Sequence, residues 1–433
     1  MTRVMSCGFA LIAAGTTLVS GCALSGDRTA STQTRVEPPR SQAREPYFNA
    51  RSHTAEYAGP GRDEPPPQNI NEVRIGWFGP ADLTHPTAGQ MWAAATMAVD
   101  EANEAGGCNG LPFRLVPAWS ENPWGTGIRD VTRLVYDEKV WAIVGGPNGP
   151  SAHLVEQVVA KARLTYISPV STDKTANLAN VPWIFSCAPG DHLLAPILAD
   201  ALVSQAAGAG FAVVSCTDHD SRVLTTELLN ACNRLGAFPI LHVEFNPGAA
   251  DFDAHIERLR QAQPGAVALI AGPRDSARSL IAMRRAGLDM PVLGGPAMGR
   301  RLFAETAAES AEGVLFPLIW HPSAAGDRPD GFARRFERSF GFAPDYTAAC
   351  TYDAVRLLID AVHTAGLNRA RIRDAVRALS PWPGVTGPIN WDPTGQNDRP
   401  AALGMLRRGQ VVPMPQPKPG AGPGAQVASP AAR

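Results

Sequence analysis

Short apolar segments alternate with segments of helical periodicity between residues 73 and 318, and this alternation constrains the fold more than any other feature. Val73–Phe78 and Trp141–Val144 are typical of the apolar segments, and Gln90–Glu104 is typical of the helical ones. A strand–helix–strand rhythm predicts parallel sheets with helices on both faces. A second series begins with the helical segment at Ala195. The sequence therefore predicts an α/β fold with two doubly wound, Rossmann-like lobes.

Polar residues follow two of the predicted strands at their carboxyl ends, where ligands of doubly wound sheets bind. The segment Asn148–Ser151 lies between a strand end and a helix start, where free N–H groups favour an anionic or acceptor group. Gly149 permits close approach of the backbone. Ser151 is equally suited to capping the helix, and the two roles are compatible. Ser171 and Thr172 follow the next strand and offer hydroxyl groups to the same space.

The charge balance and the motif content exclude several classes of function. The 433 residues include 39 lysines and arginines and 40 acidic residues, so no basic field exists to hold nucleic acid. The sequence carries no nucleophile motif, phosphate-binding loop or paired metal-ligand spacing, which argues against an enzyme and against a cofactor. His219 lies between Asp218 and Asp220, and these three residues form the one local cluster with metal-binding potential. No metal site is predicted there, and His219 is instead predicted to contact the ligand.

The N-terminal residues have the pattern of an exported lipoprotein. Phe9–Val19 is an apolar run too short to span a bilayer, so residues 1–21 are predicted to be a signal peptide. Small residues precede Cys22, the predicted site of acylation and membrane attachment; a plain secretory signal is the alternative. Residues 22–71 are polar and proline-rich and predict a disordered tether, and residues 413–433 predict a disordered tail.

The sequence does not decide whether the cysteines after Cys22 form disulfides or remain free thiols. An oxidising compartment permits disulfides, but a buried free thiol is an equally good interpretation of each position. The sequence does not decide the pairing among Cys108, Cys187, Cys216, Cys232 and Cys350.

Seven stretches between residues 72 and 410 occur in the order typical of one known family. They resemble the type I periplasmic binding proteins, the family of the leucine/isoleucine/valine receptors of bacterial ABC transporters. The stretches are Val73–Pro80, Ala102–Gly110, Val140–Gly146, Ile167–Thr172, Phe185–Asp191, Pro344–Val355 and Gly387–Asp392.

The resemblance implies a lobe arrangement and a biological role. The chain of such proteins crosses between lobes three times, which places residues 72–192 and 322–384 in lobe 1 and residues 193–321 and 385–412 in lobe 2. The implied function is capture of a small organic ligand in the periplasm and its delivery to an inner-membrane transporter, the permease complex. The implied role involves no chemistry on the ligand.

The resemblance also implies which residues contact the ligand. The Asn148–Ser151 loop, Val170 and Thr172 would hold a ligand carboxylate. The aromatic residues with which this family clamps the ligand from lobe 2 would fall near Arg222 and near Pro273 and Arg274. The acidic residue that takes a ligand ammonium in this family corresponds to Ala297. A desolvated ammonium without a counter-charge costs several kcal/mol. We therefore expect a ligand in the amino-acid or amide class that is not a plain α-amino acid.

Acidic and aromatic loop residues widen the choice of ligand. Asp82, Asp218 and Asp220 are each a candidate counter-charge for an ammonium, and a solvated loop acid is an equally good interpretation of each. Trp119 and Glu121 follow a strand end, and Trp320 lies near a predicted crossover. Tryptophan surfaces suit a bulkier, more apolar ligand, although packing under loops explains them equally well. Two alternative functions follow: a periplasmic carrier of a sterol, lipid or aromatic compound, and the ligand-sensing subunit of a signalling system.

Overall fold

A computed structural model describes residues 54, 56–178, 181–323 and 331–414. The signal peptide, Cys22, most of the tether and the tail from residue 415 lie outside the described residues. Among the described residues, none of the helices combines the length and the apolarity that crossing a bilayer requires.

Strands and helices alternate through most of the described chain. The strands are β1 Val73–Phe78, β2 Phe113–Ala118, β3 Ala142–Gly145, β4 Thr165–Ser168, β5 Ile184–Pro189, β6 Phe211–Cys216, β7 Leu241–Phe245, β8 Ala266–Ile270, β9 Val292–Gly294, β10 Leu315–Leu318, β11 Trp382–Gly384, β12 Gly387–Ile389, β13 Gln396–Asn397, β14 Ala402–Arg407 and β15 Gln410–Pro413. The α-helices are α1 Gly89–Glu104, α2 Ile128–Tyr136, α3 Gly149–Ala162, α4 Lys174–Leu178, α5 Asp191–Gln205, α6 His219–Arg234, α7 Asp253–Ala262, α8 Pro273–Arg285, α9 Arg301–Ala307, α10 Phe332–Phe340, α11 Tyr346–Ala365 and α12 Arg369–Ala378.

Two sheets form the centres of the two lobes. The first sheet has the order β13-β5-β4-β3-β1-β2, and its neighbouring strands run parallel. The second has the order β15-β14-β10-β9-β8-β6-β7, in which β14 and β15 are antiparallel additions to a parallel sheet. The predicted two-lobed, doubly wound α/β fold is confirmed.

Burial on both faces explains the continuous apolar character of the central strands. All residues of β3, β6 and β8 are buried. A parallel sheet covered by helices on both sides has no solvent-facing side, so polar residues do not alternate along its strands. Each sheet accordingly separates two clusters of buried apolar side chains, one on each face.

The chain passes between the two sheets three times. It leaves the first sheet after β5, returns after β10 and leaves again after β13. The third crossing therefore falls between Asn397 and Ala402, later than the predicted boundary at residue 385. The reason is that β13 pairs with β5 in the first sheet, and Ile389 of β12 is buried in the first lobe's core.

The end of the predicted tether is packed against the first lobe. The Tyr57 ring lies 4.6 Å from the Trp183 ring, measured between centroids. The Arg62 guanidinium forms an ion pair with Asp374, with Nε and Oδ2 3.0 Å apart, and its carbon lies 5.4 Å from the centre of the Tyr57 ring. The prediction of a disordered tether up to residue 71 is therefore wrong for residues 57–62, because an aromatic ring and an arginine provide contacts that composition does not reveal.

The structure shows whether the cysteines among the described residues form disulfides. All of them are buried and free, and burial raises the pKa of each thiol. They pack as small apolar residues, and within the part of the chain that the structure describes they form no disulfide. The five are Cys108, Cys187, Cys216, Cys232 and Cys350.

Asp353, inside α11, fixes the hairpin between β11 and β12 to the first lobe. Its fully buried carboxylate accepts hydrogen bonds from the Val385 amide at 2.8 Å, the Thr386 amide at 2.9 Å and the Thr386 hydroxyl at 2.6 Å. Thr386 is buried as well, so the carboxylate satisfies donors that lie inside the protein. A buried donor without a partner carries its full desolvation penalty, so this aspartate stabilises the fold.

We predict that Asp353→Ala lowers the free energy of unfolding by about 2–3 kcal/mol, because its donors lose their acceptor. Denaturant unfolding monitored by circular dichroism measures the change. The exposed Asp137, after α2, is the matched control, and Asp137→Ala should change stability by less than about 0.5 kcal/mol. Equal stability of the Asp353 variant and the wild type would contradict this role.

Candidate ligand-binding cleft

A cavity of about 520 Å³ lies between the two lobes. Loops at the carboxyl ends of parallel strands line it from both sides, as expected for doubly wound sheets. The first lobe contributes loops after β1, β2, β3 and β4 and the start of α11, and the second contributes loops after β6, β7, β8 and β9. The lining residues used below are His85, Thr87, Trp119, Glu121, Asn148, Val170, Thr172, Asp218, Asp220, Asp275, Ala297, Arg300 and Tyr346.

The N-terminus of α3 forms one wall of the cleft. Asn148 caps the helix by accepting a hydrogen bond from the Ser151 amide at 3.0 Å. The Ser151 hydroxyl donates to the Asn148 carbonyl at 2.7 Å and accepts from the Asn148 amide at 3.2 Å, which completes a reciprocal cap. Ser151 is fully buried, so its side chain serves the helix rather than the cavity.

A carboxylate from the second lobe occupies the free amide at this helix end. Asp220 accepts from the Gly149 N–H, with distances of 3.0 Å to Oδ1 and 3.3 Å to Oδ2. Gly149 makes this approach possible, since a Cβ at that position would lie 2.5 Å from Asp220 Oδ1. Burial between the lobes raises the pKa of Asp220 to about 6, although the Gly149 hydrogen bond opposes the shift. At neutral pH the group is therefore mainly ionised.

Acidic side chains outnumber basic ones along the cavity. Asp218 caps α6 by accepting from the Ser221 amide at 3.0 Å, and Asp275 accepts from the Gly248 amide at 3.0 Å. Arg300 donates to the carbonyl of Thr87 across the cleft. The lining thus holds the carboxylates of Glu121, Asp218, Asp220 and Asp275, against the guanidinium of Arg300 and the imidazole of His85. This charge distribution favours a ligand with a positive charge or several N–H donors.

His219 lies next to the cavity but faces Asp173 rather than the ligand space. Its Nε2 is 2.6 Å from Asp173 Oδ2, and His153 Nε2 is 2.8 Å from the same oxygen. The hydrogen bonds that the His153 imidazole donates to the Asp173 and Glu156 carboxylates raise the pKa of His153 to about 9. Burial alone would raise the pKa of Asp173, but the hydrogen bonds from both histidines hold it well below its usual value.

The structure brings about half of the predicted ligand residues together. Six of them line the cavity, and Gly149 adjoins it through the amide that Asp220 occupies. The loops after β2, β3, β4 and β9 thus meet at one cavity. The six are Trp119, Glu121, Asn148, Val170, Thr172 and Ala297.

The other predicted residues lie elsewhere. Asp82 is exposed and accepts from the amide and the hydroxyl of Thr84, both at 2.8 Å, in a local turn. Arg222 is exposed on α6 and does not line the cavity. Ser171 is buried, and its hydroxyl accepts from the Asp173 amide at 3.3 Å.

Trp320 is buried in the first lobe and does not face the cavity. Its indole N–H donates to the Val385 carbonyl at 3.1 Å, and its ring packs against Phe332. The packing interpretation of this tryptophan is therefore the one that the structure supports. Trp119 does line the cavity, where its indole donates to Glu121 at 2.7 Å.

Several cleft residues were not predicted from the sequence. Arg300 follows the single helical turn Pro296–Gly299, and Tyr346 begins α11. Tyr346 belongs to one of the recognised family stretches, and that was the available signal for it. Thr87 and Asp275 carry no distinguishing local pattern.

Two doubly wound lobes, three chain crossings and a polar cavity at the facing strand ends define the class of two-lobed solute-binding proteins. The sequence profile of the periplasmic binding protein family matches residues 72–410. The chain belongs to this family.

Named relatives extend the comparison. An amino acid binding protein of Pseudomonas aeruginosa is 27% identical over 332 residues, which is 75% of this chain and 87% of the relative. A Leu/Ile/Val-binding protein homolog of Brucella abortus is 25% identical over 308 residues, or 71% of this chain and 82% of the relative.

Solved structures share the fold. A leucine binding protein of Thermotoga maritima superposes with a TM-score of 0.72 and 20% identity, covering 79% of this chain and 98% of the other. A solute binding protein of R. palustris in complex with benzoate has a TM-score of 0.70 and 17% identity, covering 79% and 95%.

We predict that Asp220→Ala accelerates hydrogen exchange at the Gly149 amide by about 10–100-fold, because a hydrogen bond to a charged acceptor contributes about 1.5–3 kcal/mol. Amide exchange followed by mass spectrometry or NMR measures this. Asp200, an exposed acid on α5 in the same lobe, supplies the control variant Asp200→Ala, which should leave the exchange unchanged. Unaltered protection of Gly149 in the Asp220 variant would rule out the contact between lobes.

Proposed function

We propose that this protein is the periplasmic solute-binding component of an ABC transporter, and that it captures an amine or amide that lacks a carboxylate. The observation that carries the proposal is the Asp220 carboxylate on the Gly149 amide, in a cleft where acidic side chains outnumber basic ones. The captured solute would pass to an inner-membrane permease. The role involves closure of the lobes and no chemistry on the solute.

The position of Asp220 disfavours a ligand carboxylate. The family resemblance assigns the ligand carboxylate to the loop that contains Gly149, and the amide there already has an anionic partner 3.0 Å away. A second carboxylate at the same helix end would lie beside a like charge in a partly desolvated site. Two neighbouring anions without a cation between them raise each other's free energy.

The remaining acids favour a ligand amine. Ala297 lines the cavity, so the position that carries the family's ammonium-binding acid has no charge here. However, Glu121, Asp218 and Asp275 line the same space from other loops. They supply the counter-charge whose absence at position 297 argued against an ammonium ligand. An amide group on the ligand adds N–H donors, and these carboxylates can accept hydrogen bonds from them.

The relatives support small organic solutes as the ligand class. Their names refer to amino acids, and one structural neighbour was solved with benzoate. The alternative of a bulky apolar ligand receives less support, because only one of the two candidate tryptophans faces the ligand space. Trp119 lines the cavity, whereas Trp320 is buried outside it. A sensing subunit would use the same cleft and differ only in its partner protein.

Leucine and leucinamide form a matched pair for a test, because they share the side chain and the amine and differ in the carboxylate. We predict that leucinamide binds at least tenfold more tightly than leucine, a difference of about 1.4 kcal/mol. Isothermal titration calorimetry on the full chain measures both affinities. 4-Methylpentanoate, which keeps the carboxylate and lacks the amine, should not bind.

The variant Asp220→Asn tests the cause of this selectivity. It keeps the size of the side chain and removes the charge, so the preference for leucinamide over leucine should shrink. Tighter binding of leucine than of leucinamide by the wild type would refute the proposed solute class. An unchanged preference for leucinamide in the Asp220→Asn variant would refute Asp220 as the cause of the selectivity.

The lipid anchor at Cys22 is also part of the proposal, and it rests on the small residues before the cysteine. We predict that Cys22→Ser moves the protein from the membrane fraction to the soluble periplasmic fraction, because stable attachment requires the acyl chains. Fractionation followed by immunoblotting measures this, and solute affinity should not change. Membrane association of the variant equal to that of the wild type would refute the anchor.

A further inference from the structure

Two histidines and an aspartate meet at the boundary between the lobes. His153 lies on α3 and Asp173 follows β4, both in the first lobe, whereas His219 begins α6 in the second. One ligand atom from each residue lies within 4.8 Å of the others. The shared atom is Asp173 Oδ2, which faces both imidazole Nε2 atoms. The cluster therefore joins side chains that only closed lobes bring together.

The side chains of the first lobe are already oriented. Asp173 Oδ1 accepts from the Thr175 amide at 2.8 Å and from the Thr175 hydroxyl at 2.6 Å, which leaves Oδ2 directed at the imidazoles. His153 Nδ1 lies 3.4 Å from Glu156 Oε2, so Nε2 points away from that acid and toward Asp173. A metal-binding imidazole usually forms a hydrogen bond to a carboxylate, a carbonyl or water through the ring nitrogen that does not bind the metal.

We propose that His153, Asp173 and His219 bind a divalent transition-metal ion of the Zn²⁺ type. Two imidazole nitrogens and one carboxylate oxygen form a common zinc ligand set, with a fourth position left for water or another ligand. Bonds of about 2.0–2.1 Å place tetrahedral ligand atoms about 3.3 Å apart. The present distances of 2.6 and 2.8 Å would thus open by about half an ångström.

His219 supplies both the movement and the entry path. Its side chain is 41% exposed, whereas that of Asp173 is 1% exposed. An exposed imidazole at the first position of α6 can rotate outward without disturbing a core. The ion would reach the cluster from solvent at the edge of the cleft.

Binding across the lobes couples the metal to closure. An ion held by residues of both lobes binds the closed form more tightly than the open form. If the cleft captures a solute as proposed above, metal and solute each raise the affinity for the other by the same factor. The metal site itself does not depend on the identity of that solute.

Titration of the chelator-treated full chain with zinc chloride alone tests the site. Calorimetry should show one equivalent of zinc per chain, and His153→Ala and His219→Ala should each weaken binding at least tenfold. His242→Gln changes an exposed histidine on β7 of the second lobe and should bind zinc as the wild type does. No zinc binding, or binding unaffected by both alanine variants, overturns the proposal.

Small-angle X-ray scattering tests the position of the site between the lobes. Zinc should reduce the radius of gyration of the wild type and leave that of His219→Ala unchanged, because only the wild type can bridge the lobes. Equal contraction in both proteins overturns the bridging role. These measurements contain no organic solute, so failure of the proposed solute specificity would not alter their outcome.

Discussion

The hydrogen bond from the Gly149 amide to the Asp220 carboxylate joins the two lobes at the helix end where this fold collects anions. The anion here is part of the chain itself. Its presence depends on a glycine, because any Cβ at position 149 would collide with the carboxylate. It also affects the electrostatics of the cleft, since the Gly149 amide at the N-terminus of α3 already has an anionic partner. The acids of the second lobe then dominate the field that a solute meets.

The fold could be predicted because its signal is local. Strands such as β3 and β8 are buried on both faces, and their sequences are continuously apolar for that reason. The third crossing was misplaced because β13, Gln396–Asn397, is too short and too polar to read as a strand. Its pairing with β5 is a contact between segments more than 200 residues apart, which periodicity does not record.

The site could be predicted only where residues follow strand ends. Asn148, Val170 and Thr172 do so, and they line the cavity. Arg300 lines the cleft and donates a hydrogen bond to the carbonyl of Thr87, which lies 213 residues earlier in the chain. The cluster around Asp173 joins residues 20 and 46 positions apart across two lobes, a spacing that matches no local metal motif. Such groupings are products of the tertiary fold, and side-chain type alone does not reveal them.

The docking of Tyr57 and Arg62 has a mechanical consequence. Both side chains contact residues of the first lobe, Trp183 and Asp374. A pull on the chain from its N-terminal side would therefore act first on these contacts with the first lobe. Rotation of the second lobe about the three crossings would leave the contacts of Tyr57 and Arg62 in place, because both lie entirely on the first lobe.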